Sequence, residues 1–217
     1  MDIPTLTTDR LVLRGFRPGD WDAYAAMNAD PAVRQWLGGK CLSREQAWTQ
    51  MESFLGQWAL RGYGFFAVDV GGSFAGRVGL LHPIDWPEPE LAWTLAAPFW
   101  GRGLATEAAA EVRRWAFATL GRERLVSYIL PENVRSQRVA AKLGAVRDGR
   151  IVLRDFVADV WVHAAPGRGV PACSAADHFG PGPPGGIHMA PPGGSGPECF
   201  RRRKAGISIP VSSPAEV

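Results

Sequence analysis

Trp93-Thr94-Leu95-Ala96-Ala97-Pro98-Phe99-Trp100-Gly101-Arg102-Gly103-Leu104-Ala105-Thr106-Glu107-Ala108 is the stretch on which the fold turns. It reads as a strand stopped by Pro98, a turn holding two glycines, and the first turns of a helix. A helix start carries N–H groups without partners inside the helix, and the positive end of the helix dipole lies there. Glycines let the backbone approach a ligand closely, so this order of elements can receive phosphate oxygens. The same glycines also suit any tight strand-to-helix turn. No Lys-Ser or Lys-Thr follows them, which excludes a P-loop, and no third glycine stands at dinucleotide spacing.

Upstream, the strand starts at Glu90, after a proline-rich connection from Pro83 to Pro89. Phe65 to Val68 and Phe74 to Leu80 read as two antiparallel strands joined at Gly71-Gly72, where a hairpin turn needs positive φ. Ser43 and Gln46 have the spacing of a capping box, and Ala47, Trp48, Met51, Phe54, Leu55 and Trp58 then follow at helical spacing. Arg10 to Arg14 alternates as a first strand, and Asp20 can start a helix that ends near Asp30-Pro31. Downstream, the helix from Gly103 runs to Leu120, with Ala108, Val112, Trp115 and Ala116 on one face. A buried strand, Leu125 to Leu130, is followed by a helix from Pro131 to Leu143 with Gly144 as its stop. Strands around Gly149 to Leu153 and Val157 to His163 complete the series. The order β-α-α-β-β-β-α-β-α-β-β predicts a mixed α/β domain, its mostly antiparallel sheet of about six to seven strands flanked by about four helices.

Large apolar side chains are concentrated in residues 1–165, the expected single domain, whereas 166–217 is dominated by Gly, Pro, Ser and Ala. That second segment is expected to be a disordered tail, because it has too few apolar groups to offset the entropy of ordering. Whether it is a linker, an accessory arm or an altered reading frame stays open. The formal charge is +3, but residues 1–165 hold 19 Lys and Arg against 18 Asp and Glu. The near-neutral domain argues against a nucleic-acid partner, and the run Arg201-Arg202-Arg203-Lys204 reads as a solvated part of the tail. Cys41, Cys173 and Cys199 have no spacing that fits a disulfide framework or a zinc site, and the four histidines are scattered, so no metal is expected. The start Met1-Asp2-Ile3-Pro4 lacks a secretion signal, and no run of about 18 apolar residues could span a bilayer. A cytoplasmic protein without a membrane partner, monomer or homodimer, is the expectation.

About thirty residues after the glycine turn stand Asn133-Val134-Arg135-Ser136 and Lys142-Leu143-Gly144. The ordered set Trp-Gly-Arg-Gly-Leu-Ala-Thr-Glu-Ala, Asn-x-x-Ser and Lys-Leu-Gly resembles the GNAT acetyltransferase superfamily. The opening Leu6-Thr7-Thr8-Asp9-Arg10-Leu11-Val12-Leu13-Arg14 is similar to its ribosomal-protein N-terminal acetyltransferase branch. The resemblance covers residues 5 to 164. It implies acetyl-CoA as co-substrate, with its pyrophosphate on the loop Trp100, Gly101, Arg102, Gly103, Leu104, Ala105 and Thr106. There Trp100 replaces the family's usual Gln or Arg. It further implies that the strand ending at Leu95 splays from Leu125 to Leu130 to admit the pantetheine arm. Leu95 would supply backbone contacts, Asn133 would bond the pantetheine amides, and Ser136 would lie near the sulfur. Read without the family, Asn133 is a helix N-cap and Ser136 a polar residue of the first turn.

Acyl transfer from a thioester needs a neutral amine, a stabilised oxyanion and a tolerable thiolate. An α-amine, with pKa about 7.7–8.0, loses its proton far more readily than lysine at about 10.4, so a mild base suffices. Glu90 is the candidate base, at a strand start where this branch often carries a glutamate. Glu88, Asp85 and His82 compete with it, and a plain surface carboxylate is the other reading. The tyrosine many members use as acid falls on Ala141, which leaves Ser136 or solvent to protonate the thiolate. Trp36, Trp86 and Trp93 either wall an acceptor pocket or complete the core. The expected function is acetyl transfer to a primary amine, a protein N-terminus or a small amine, by direct attack in a ternary complex. A coenzyme-binding or interaction domain without catalysis is the alternative.

Overall fold

Ser43 and Gln46 cap a helix as their spacing predicts: the Gln46 N–H donates to Ser43 Oγ at 3.1 Å and the Ser43 N–H to Gln46 Oε1 at 2.9 Å. That helix is one of thirteen elements in a computed structural model that describes residues 2–154 and 156–167. In chain order they are β1 (Leu6–Thr7), β2 (Val12–Arg14), α1 (Trp21–Ala29), α2 (Pro31–Arg34), α3 (Arg44–Arg61), β3 (Phe65–Val70) and β4 (Ser73–Leu81). There follow β5 (Glu90–Leu95), α4 (Leu104–Thr119), β6 (Arg124–Ile129), α5 (Val134–Lys142), β7 (Val146–Leu153) and β8 (Phe156–Ala164). Single 3-10 turns, Pro18–Asp20 and Ala97–Phe99, precede α1 and α4. The expected tail lies outside the described residues beyond Gly167.

The strands form one sheet in the order β1-β2-β3-β4-β5-β6-β8-β7. Every neighbouring pair is antiparallel except β5 and β6, which run parallel. Alternation along β3 divides the core. Phe66 and Val68 face α4 with Val78, Leu80, Val112 and Trp115, while Phe65 and Ala67 face α1 and α3 with Tyr24, Met51 and Phe54. A buried ion cluster ties β2 to the turn before α1. Arg14 donates to both Asp20 carboxylate oxygens at 2.8 Å, and its Nη2 lies 3.1 Å from Asp69 Oδ2.

The sheet has eight strands rather than six or seven, and the helices number five among the described residues. The additional strand, β1, is too short for its alternation to be readable: it pairs only as Leu6↔Leu13 and Thr7↔Val12. The additional helix, α2, begins where a stop was expected. Pro31 lacks an N–H that the first helical position does not need, and Asp30 Oδ1 accepts the Ala32 N–H at 2.8 Å. Strand β7 starts earlier than expected because it passes through a bulge between Arg147 and Arg150 instead of beginning after Gly149. No described helix is long and apolar enough to cross a membrane.

Candidate active site

The parallel pair β5 and β6 supplies the opening. Its ladder holds one register pair, Glu90↔Val126, and stops there. Side chains take over at once: the Tyr128 N–H donates to Glu90 Oε1 at 3.2 Å, and Ser127 Oγ donates to the Leu91 carbonyl at 2.6 Å. With the Ser127 proton so used, the buried His163 Nε2 at 3.0 Å is the donor to Ser127 Oγ, and burial holds His163 neutral with a pKa of about 4. Beyond this closed end, toward Leu95 and Ile129, no ladder pair joins β5 and β6. Helices α4 and α5 both begin past those strand ends, the position where parallel strands bind ligands.

At the start of α4, Gly101 and Gly103 take φ of 74° and 77°, which L side chains rarely adopt. A side chain would meet nothing within 4 Å at Gly101 and only Arg10 Nη2, 3.6 Å away, at Gly103. The backbone is therefore open to an approaching group. Gly103 caps α4 without a side-chain bond, and the first turn closes with the Glu107 N–H on the Gly103 carbonyl. The N–H groups of Leu104, Ala105 and Thr106 precede that closure and belong to the orphan set of a helix start, a set suited to phosphate oxygens. The loop is braced from both sides. Arg10 donates to the Arg102 carbonyl at 3.0 Å and to Glu107 Oε2 at 2.7 Å, and Thr8 donates to Glu107 Oε1 at 2.6 Å. The Trp100 indole N–H donates to the Leu95 carbonyl at 2.7 Å.

Helix α5 begins at Asn133, whose Oδ1 accepts the Ser136 N–H at 3.1 Å, so Asn133 is an N-cap and keeps its Nδ2 for another partner. Ser136 is half-buried in that first turn. The Arg135 guanidinium lies 5.0 Å from the centre of the Trp100 ring and links the α5 start to the glycine loop. Trp36, Gln35, Trp100, Glu132 and Arg135 help to line a cleft of about 350 Å³ there. Of the three tryptophans in question, only Trp36 reaches it. Trp86 packs edge-on against Tyr128 and Trp93 packs between core clusters.

Glu90 is buried, and burial pushes its pKa from 4.5 up to about 8, against the Tyr128 N–H and the Arg77 charge, which favour the ionised form. Its competitors are engaged elsewhere: Glu88 pairs with Arg124 at 3.0 Å, Asp85 with Arg154 at 2.8 Å, and His82 Nδ1 lies 2.8 Å from the Tyr63 hydroxyl. Leu95, the glycine loop, Asn133 and Ser136 gather at the open end. Glu90 stands at the closed end, five residues or about 16 Å of strand from Leu95. Arg10, Thr8 and Glu107 act on the loop without having been singled out from the sequence for this, since bonds across about a hundred residues leave no local pattern.

Residues 10–146 match the profile of the acetyltransferase (GNAT) domain. The chain is 25% identical over 146 residues to YnaD of Bacillus subtilis, an uncharacterised N-acetyltransferase, covering 66% of this chain and 84% of that one. A crystal structure of an acetyltransferase from Agrobacterium tumefaciens is 35% identical with a TM-score of 0.70, covering 76% of this chain and 96% of its own. RimL, a ribosomal L7/L12 α-N-protein acetyltransferase solved with coenzyme A, shares the fold at 15% identity and a TM-score of 0.64, over 74% of this chain and 98% of its own. The interrupted parallel pair, with a glycine-led helix start at its open end, is the candidate site of a chain that belongs to the GNAT acetyltransferase family.

Proposed function

We propose that the protein transfers the acetyl group of acetyl-CoA to a primary amine, a protein N-terminus or a small amine, by direct attack in a ternary complex. The observation that carries this reading is the parallel pair closed at Glu90↔Val126 and open at Leu95, with two helix starts at the open end. In this reading the loop Trp100 to Thr106 binds the pyrophosphate through backbone N–H groups, and Leu95 and Asn133 hold the pantetheine amides. Glu90 takes the proton of the attacking amine. A base of pKa about 8 is matched to an α-ammonium of about 7.7–8.0, so the transfer is close to thermoneutral. Ser136, in the first turn of α5, donates a hydrogen bond to the thiolate and relays a solvent proton to it, so that the hydroxyl is restored. RimL is an α-N-protein acetyltransferase of ribosomal L7/L12, which is one motive for testing N-termini first.

The test is calorimetric titration of acetyl-CoA into the full chain, combined with free-thiol release across peptide N-termini, polyamines and aminoglycosides. Acetyl-CoA binding with thiol release that depends on an added amine is expected. Absence of binding, or binding with no amine-dependent release, would remove the proposal.

A further inference from the structure

Three arginines are buried, and their surroundings differ. Arg14 has two carboxylates, Asp20 and Asp69. Arg34 and Arg77, with 7% and 5% of their surface exposed, have no carboxylate partner among the described residues. A buried charge without a counter-charge is costly, and functional sites are where such cost is found. Arg77 lies on β4 opposite Thr94, on the face of β5 that also carries Glu90, and its charge reaches Glu90. Its guanidinium sits over the rings of Phe54 at 4.7 Å and Phe65 at 4.9 Å. Its Nη1 donates to the Tyr24 hydroxyl at 2.9 Å and to Gln50 Oε1 at 3.1 Å, while its buried Nε has no partner. Arg34 Nε donates to the Lys40 carbonyl at 2.8 Å, and burial together with the Arg77 charge holds the Arg34 pKa below its ordinary value.

We infer that Arg77, with the Tyr24 hydroxyl, forms a subsite for the anionic group, a carboxylate or a phosphate, of the amine acceptor. This rests on the acetyl-transfer reading and narrows its substrate class to amines that carry an oxyanion at their other end. Gln50 Oε1 marks where an anion oxygen would sit, since it accepts from Tyr24 Oη at 2.6 Å as well as from Arg77. Gln50 is half-buried and also lines an open hollow on α3 with Glu45, Gln46, Thr49 and Ser53. In the proposed bound state the Gln50 amide swings outward and gives its place to the ligand. The polarity of the face agrees: the amine end belongs at Glu90 and the anionic end at Arg77. A purely structural Arg77, clamped between aromatic rings, would need no anion and would lose stability when replaced.

The test is thermal melting of the full chain with succinate, inorganic phosphate, β-alanine or β-alaninamide, against chloride at equal ionic strength. Succinate or phosphate should raise the melting temperature by about 3 °C, and β-alanine should do so more than β-alaninamide, which lacks the carboxylate. The stronger of succinate and phosphate names the source of the oxyanion. Arg77→Met should melt no lower than the parent without anions and lose the rise, whereas Gln50→Ala, which keeps Arg77, should enlarge it. An equal rise with chloride, or a full rise retained in Arg77→Met, overturns the inference; so does a loss of the rise in Gln50→Ala. Titration of acetyl-CoA into the same preparation separates the two readings. Failure of the anion effect with acetyl-CoA bound removes the subsite alone, and failure to bind acetyl-CoA removes the acetyl-transfer reading on which the subsite rests.

Discussion

The indole N–H of Trp100 and the carbonyl of Leu95 are joined at 2.7 Å, which fastens the glycine loop to the end of the strand it follows. Trp100 stands where the family usually has Gln or Arg, and the bond gives it a job suited to a donor with an aromatic body. It fixes the distance between strand end and loop, and its ring supports Arg135. In Trp100→Phe the ring stays and the donor goes. A part-buried hydrogen bond contributes about 1 kcal/mol, so acetyl-CoA affinity should fall about five-fold through loss of loop order. Calorimetric titration measures this, and tighter binding would mean that the indole competes with the coenzyme for Leu95.

Glu90 makes pH a direct probe of the site. Burial raises its folded pKa from 4.5 to about 8, so the folded state holds a proton that the unfolded chain releases between those values. Stability therefore falls as pH rises through that window, and the protonated form is favoured below it. With Glu90 as the proposed base, activity runs the other way, since a base accepts a proton only when ionised: kcat/KM should climb to a plateau above pH 8. Glu90→Gln keeps an oxygen for the Tyr128 N–H but carries no charge. It should lower kcat by about 100-fold, remove the inflection near pH 8 from the kcat profile at saturating amine while the amine's own titration stays in kcat/KM, and make the protein more stable than the parent at pH 9. Unchanged turnover in Glu90→Gln would exclude Glu90 as the base.

Where chemistry was carried by neighbours in the chain, the sequence could be read directly. The strand Glu90 to Leu95, the Ser43–Gln46 capping box and the glycine-led helix start all follow from local rules, and the structure has them within a residue or two. The sites of Arg77 and Arg10 were not readable in that way. Arg77 meets Tyr24 and Gln50, 53 and 27 residues away, and Arg10 meets Glu107 across 97 residues. Such pairs depend on which strands become neighbours, and no spacing within either segment signals them. Trp86 and Trp93 were ambiguous for a related reason, since an aromatic at a strand or loop position serves a core and a pocket equally well until the packing is known.

Arg10 offers a test of loop bracing apart from stability. Half of its side chain is exposed, and an exposed ion pair with Glu107 contributes only about 0–1 kcal/mol. Its bond to the Arg102 carbonyl, however, sets the height of the loop over the α4 start. Arg10→Ala should shift the melting temperature by less than about 3 °C while weakening acetyl-CoA about three- to ten-fold. KM for acetyl-CoA should rise with kcat little changed. A large loss of stability with no change in KM would assign Arg10 to the fold instead.

Gly76 tests whether the opening depends on the strand behind it. It lies opposite Leu95 in the β4–β5 ladder, at φ 152°, and a Cβ placed there would stand 2.2 Å from the Thr94 carbonyl oxygen and 2.7 Å from Leu95 Cα. Both obstacles are backbone, so neither can rotate away, and β5 itself would have to move at its open end, beside the glycine loop. Overpacking of this kind costs about 1–3 kcal/mol, and a backbone clash lies at the upper end. Gly76→Ala should therefore lower stability by about 3 kcal/mol in urea denaturation and weaken acetyl-CoA in titration, because the Leu95 carbonyl and the Trp100 bond it accepts are displaced together. Combining it with Trp100→Phe should then cost less affinity than the two single changes added, since both act through the position of Leu95. Full additivity in that cycle would show that the strand and the loop are set independently.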